Sequence, residues 1–259
     1  MAVKKRITQR TLDERAIAGG RAISLTFRAE DGPSAASPVP GVLRLPNAAA
    51  PAPAALLLHG YASRKEDMAE SVGEALLPRG IATLSIDLPL HGDRADPFEL
   101  RSVRNPFELV SRWQIAIEEA QLALRFLAAR PEIDRDRLGL VGYSLGSYLT
   151  LAVVERDRTP RAVVLAAGGD LPDFPFAELI RSVSDPMRGI KSLRGRPMLM
   201  VHGRRDRTIL PAQAERLFAA ASEPKEIQWW DAGHYLPDAA VQRAATWLAR
   251  TLIGISVAA

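Results

Sequence analysis

Cysteine is absent from the chain, which rules out disulfides and thiol chemistry without identifying a compartment. Long apolar runs are missing too. The first twenty residues carry Lys4, Lys5, Arg6, Arg10, Asp13, Glu14 and Arg15. They contain no stretch suited to a signal peptide or a membrane span, so cytoplasm is the default expectation and no membrane partner is expected. Charge of one sign is not concentrated. The formal net charge is +4 and the basic residues are scattered, whereas a nucleic-acid footprint needs a patch. The four histidines show no His-x-x-x-His pairing, so neither a metal nor an organic cofactor is expected. No internal repeat or low-complexity tail is evident. What remains is 259 residues with 47% hydrophobic and 25% charged content, ordinary for one globular α/β domain spanning 1–259.

Apolar runs alternate with helical patterns along the chain. Residues 22–29 and 41–45 read as an opening hairpin, and 54–58 as a buried strand after an alanine- and proline-rich connector. A helix over 66–77, a strand ending at Ile86, a helix over 113–127 and a strand over 138–141 follow. Trp113, Ile117, Ala120, Leu124 and Leu127 recur at helical spacing and predict one face lying on a sheet. Strands near 162–166, 197–201 and 227–230 and a helix over 238–252 complete a βαβ pattern.

The most informative segment is Gly142-Tyr143-Ser144-Leu145-Gly146, where an apolar run gives way to a helical segment. A sharp strand-to-helix turn strains its central residue and needs small neighbours two positions away. It leaves a serine hydroxyl exposed at the tip, beside the first amides of a helix. By itself the pentapeptide decides little, since such spacings arise by accident. A serine nucleophile also needs a histidine base and a carboxylate behind it. Asp206 follows the run 198–201 and His234 follows the run 227–230, both downstream and both in loops after strands. Asp170 and Asp231 are alternative carboxylates. Asp206 is preferred because a carboxylate after the penultimate strand reaches His234 from behind, while Asp231 suits a turn. Asp87 and the histidines at 59, 91 and 202 read as structural or rim residues. An oxyanion needs two donors: the Leu145 amide at the turn and, from the loop after Leu58-His59-Gly60, the Tyr61 amide.

With its Ser, Asp, His order and the stretch Asp87-Leu88-Pro89-Leu90-His91-Gly92, the chain resembles serine-dependent α/β-hydrolases of the esterase, dienelactone-hydrolase-like and prolyl-oligopeptidase-like group over about 43–253. The resemblance implies an α/β-hydrolase fold: a mostly parallel eight-stranded sheet with helices on both faces and a small cap, from segments about 88–107 and 167–195. It departs from dienelactone hydrolases proper, which carry cysteine at the turn, and no propeller domain fits. The expected activity is carboxylic ester hydrolysis through an acyl-enzyme on small to medium acyl esters. The same residues suit a thioesterase or an exopeptidase, and a non-catalytic small-molecule receptor is the reading from another class. Phe98, Phe107, Leu171, Phe174, Phe176 and Met187 are candidates to line the pocket. Arg94, Arg101 and Arg104 would bind an acidic substrate tail or form a solvated rim. Oligomeric state is not legible.

Overall fold

The computed structural model describes residues 6–30, 37–95, 105–171 and 177–254. Its strands form one sheet in the order β1-β2-β3-β5-β4-β6-β7-β8-β9. Among the described residues nine strands are present where eight were expected. They are β1 (Ile7–Ile17), β2 (Gly20–Ala29), β3 (Val39–Pro46), β4 (Ala52–Leu58), β5 (Ala82–Ile86), β6 (Ile133–Tyr143), β7 (Pro160–Ala166), β8 (Met198–Gly203) and β9 (Lys225–Trp230). The unexpected one is β1. Nine of its eleven residues are exposed, so it lacks the apolar alternation by which a half-buried strand is read. The strands from β1 to β3 pair antiparallel, as does β3 with β5. All pairings from β5 through β4 and β6 to β9 are parallel.

Parallel strands are joined by crossover helices that cover both faces, which is why β4 and β8 are buried at every position. On one face, α3 (Pro106–Ala128), α4 (Leu145–Arg156), α6 (Pro186–Ser192) and α7 (Pro211–Ala220) pack over residues such as Leu56, Leu140 and Leu165. The other face is covered by α8 (Asp238–Ile253) and a continuous helical stretch. That stretch comprises α1 (Lys65–Met68), a π-helical segment Ala69–Gly73, α2 (Glu74–Leu76) and a 3₁₀ turn. The helix expected over 113–127 starts earlier, because Asn105 caps it by accepting from the Phe107 amide, with Pro106 at the first position. Ile117, Ala120, Leu124 and Leu127 are buried as their spacing predicts. The segment 167–195 contributes two short helices, α5 (Ala177–Val183) and α6.

Strand order reverses around β4 and β6, so the loops leaving their C-terminal ends diverge and open a crevice there. Glycine lets those two loops meet. A Cβ on Gly146 would lie 2.0 Å from the Leu58 carbonyl oxygen, and one on Gly142 would lie 2.2 Å from that of Gly146. The first turn of α4 is thereby pressed onto the end of β4. Ser144, between them, is held at φ 51° and ψ −111°, in a region L-residues adopt only under constraint.

His59 fastens the loop after β4 to the loop after β5. Its Nδ1–H donates to the Gly60 carbonyl at 2.7 Å and its Nε2 accepts from the Leu88 amide at 3.1 Å. The Leu88 N–H can only donate, so Nε2 must be unprotonated and the ring neutral. Burial is the main cause that lowers its pKa from 6.5 to about 4. The loop after β5 is also held by Asp87, which accepts from the Lys65 amide, the Lys65 ammonium and the Asp93 amide. Burial alone would lower the Lys65 pKa, but hydrogen bonds to Asp93, Glu66 and Asp87 raise it instead.

Two outcomes follow for stability. Gly146→Ala should lower the unfolding free energy by about 3 kcal/mol in urea titration, since the added methyl must displace backbone; a loss under about 1 kcal/mol would contradict this packing. The second concerns acid. An unfolded histidine takes up a proton near pH 6.5, whereas folded His59 stays neutral to about pH 4. The stabilisation is therefore complete above 6.5 and is lost as pH falls through this window, with about 2 kcal/mol gone by about pH 5. Urea midpoints measured across that range should fall before carboxylates begin to titrate; a flat profile would mean that the ring is not kept neutral.

Candidate active site

The strained turn, the loop after β8 and the loop after β9 converge above the C-terminal ends of the strands. The Ser144 hydroxyl lies 2.9 Å from His234 Nε2, and His234 Nδ1 lies 2.8 Å from Asp206 Oδ2. All three sequence candidates are thus brought into one hydrogen-bonded line. Asp206 is 2% exposed, and its other oxygen accepts from the amides of Thr208 and Ile209 at 2.8 and 3.0 Å. With that carboxylate able only to accept, Nδ1 carries the proton and Nε2 is free to accept from the serine.

Asp170 and Asp231 are engaged elsewhere. Asp170 accepts from the Leu171 amide and Arg181, and Asp231 is an exposed partner of Arg205. The buried ring of His202 bonds the Ile209 carbonyl through Nε2 at 3.0 Å, and His91 bonds the Pro89 carbonyl through Nδ1 at 2.8 Å. Burial lowers the pKa of both. The Ser144 hydroxyl is hydrogen-bonded to His234 and to neither of these rings. Among the described residues, no group of three or more His, Asp or Glu is placed to hold a metal ion, and no helix is long and apolar enough to cross a membrane.

Tyr143 was not singled out from the sequence, although it lies inside the pentapeptide. Its hydroxyl donates to the His234 carbonyl at 2.5 Å and accepts from the Leu236 amide at 3.3 Å, so the turn that carries the serine also holds the loop that carries the histidine. Burial pushes its pKa up to about 12, and it remains a neutral donor. Gly60 packs against Ser144 and Tyr143, bringing the Tyr61 loop alongside the turn.

Next to this line lies a cavity of about 350 Å³, within the range of small-molecule sites. Tyr61 and Leu145 border it, and its walls are almost wholly apolar, with Leu109, Trp113, Tyr148 and Ile209 prominent. Of the expected lining residues, Leu171 is present. Phe107 instead points to solvent, 69% exposed, because its position on α3 faces away from Leu109 and Trp113. Met187 packs on the core. Phe98, Phe174, Phe176, Arg101 and Arg104 lie outside the described residues. Arg94 is neither a rim residue nor free for an acidic substrate. It forms a two-pronged pair with buried Glu119 of α3 at 2.5 and 2.9 Å. Burial raises the Glu119 pKa, against the opposing pull of Arg94.

Comparison with known proteins agrees with this architecture. Esterase EstD of Thermotoga maritima is 26% identical over 164 residues, covering 60% of this chain and 35% of the relative. Polyketide transferase ATR5 of Stachybotrys chlorohalonatus is 28% identical over 150 residues, covering 56% and 46%. The chain spans less than half the length of these curated relatives. A solved cold-adapted esterase from an Arctic intertidal metagenomic library superposes with a TM-score of 0.73 at 20% identity, covering 93% of this chain and 97% of that one. The sequence model of the alpha/beta hydrolase family matches residues 55–248. Three-quarters of the sequence lies within that match, and the chain belongs to the alpha/beta hydrolase family.

Proposed function

We propose that the protein, acting as one domain, is a serine carboxylic ester hydrolase that works through an acyl-enzyme. The observation that carries this reading is the unbroken line from Ser144 through His234 to Asp206 beside an apolar cavity. Ser144 Oγ attacks the ester carbonyl carbon as its proton passes to His234 Nε2. Asp206 keeps Nδ1 protonated and stabilises the imidazolium. The tetrahedral oxyanion is held by the amides of Leu145 and Tyr61. His234 then protonates the departing alcohol, and the acyl-enzyme forms. A water deprotonated by His234 attacks that acyl group, and Ser144 recovers its proton as the acid leaves. No step calls on a metal or an organic cofactor.

The substrate class follows from the walls. Leu145 and Tyr61 both line the cavity, so in the proposed geometry an ester bound between their amides extends one arm into the apolar space. An uncharged, medium-sized aliphatic or aromatic acyl group fits it. A charged arm would lose its hydration against almost wholly apolar walls. The one arginine of the lining among the described residues, Arg112, is paired with Glu108, and nearby Arg94 is committed to Glu119. The likeness to EstD and to the cold-adapted esterase supports an ester rather than an amide as substrate.

A fluorophosphonate should add covalently to Ser144, and His234→Ala should abolish the adduct and lower kcat by about 10³-fold or more. Absence of any adduct would favour a receptor on this fold over an enzyme. Against a series of p-nitrophenyl esters, kcat/KM should rise about fourfold per methylene as each is buried, until the cavity is full. A flat profile, or marked preference for the matching thioester or peptide amide, would overturn the ester assignment.

A further inference from the structure

The outer edge of β1 has no strand beside it among the described residues. An eleven-residue edge leaves a row of backbone N–H and C=O groups open to pairing. Leu12, 55% exposed, stands at its middle and has no partner on β2, because the register moves from Thr11 opposite Leu25 to Asp13 opposite Ser24. This is a bulge, and it reverses which face each later residue occupies. Arg10 and Asp13, three positions apart, therefore share one face, with Thr26 and Ser24 of β2 opposite them. Thr8 and Arg15 lie on that same face, while Gln9, Thr11 and Glu14 lie on the other.

A second copy pairing antiparallel about a two-fold axis normal to the sheet must match faces on both sides of the bulge. Shifts by a single residue oppose side chains from different faces. One matched register opposes Arg10 to Arg15 of the second copy, and does so twice. The other, centred between Thr11 and Leu12, opposes Arg10 to Asp13 and Asp13 to Arg10, Thr8 to Arg15, and Gln9 to Glu14. Directly opposed unlike charges stabilise a strand pair and like charges destabilise it. We propose that the free edge of β1 pairs antiparallel with β1 of a second copy of this chain, in the register that sets Arg10 against Asp13 across the two-fold axis. The sheet then runs on through both molecules, and the two exposed Leu12 side chains are brought together at its centre.

Charge reversal tests both the partner and the register. Arg10→Asp alone places like acidic charges at both contacts, and Asp13→Arg alone places like basic charges there. In sedimentation equilibrium, each single variant should raise the dissociation constant of the dimer by about tenfold or more. The double variant carrying both changes should recover most of the wild-type affinity. Mixing the two single variants should produce a heterodimer that neither forms alone, which also establishes that both are folded. A wild type that stays monomeric at its highest soluble concentration would overturn the proposal and leave the charges and bulge as guards of an unpaired edge. A dimer indifferent to either reversal would overturn it by placing the interface elsewhere.

Discussion

The contact on which the site rests is between two backbones: the first turn of α4 lies so close to the end of β4 that no side chain fits at Gly146. That approach bends the chain at Ser144 and holds it in a conformation it would not adopt alone. The serine also sits beside the loop that leaves β4, because the same contact brings Gly60 against it. Ser144 and the loop that carries Tyr61 are thus placed side by side by one packing event. Strain at the turn is offset by the buried strands and the helix on either side of it.

Around this turn, buried polar groups fasten the loops instead of adding charge to the pocket. His59 joins two loops as a neutral ring, Asp87 is satisfied by Lys65 and the Asp93 amide, and Asp206 is satisfied by two amides and the histidine. Taking such groups from water is costly unless each lone pair and proton is matched. Here matching combines backbone groups of the loops that follow the strands with two side chains, the Lys65 ammonium and the His234 ring. Tyr143 extends the scheme by holding the histidine loop from inside the turn.

Much of this was legible in the sequence, for physical reasons that differ by residue. Ser144 was marked by a turn whose steric demands are local, and Asp206 and His234 by their places after successive apolar runs. The helix faces and buried strands followed from periodicity. β1 was missed because a strand exposed on both faces carries no apolar alternation, and its pairing with β2 depends on tertiary context. The fate of Arg94 was hidden for another reason: its partner, Glu119, lies twenty-five positions away on a helix read as facing the sheet. The apolar walls come from seven separate stretches, so no single one of them announces the cavity. Phe107 shows the converse error, an aromatic in the right segment whose place on the helix turns it outward.

The Arg94–Glu119 pair joins the loop after β5 to α3, and those two elements supply facing parts of the cavity wall, Leu88 to His91 on one and Leu109 to Ala116 on the other. Two surfaces tied across their base cannot spread without exposing or separating a buried ion pair. The cavity is therefore braced where the loop after β5 meets α3. The spacing of the walls there depends on an ion pair that lies outside the cavity lining, and not on the apolar side chains alone.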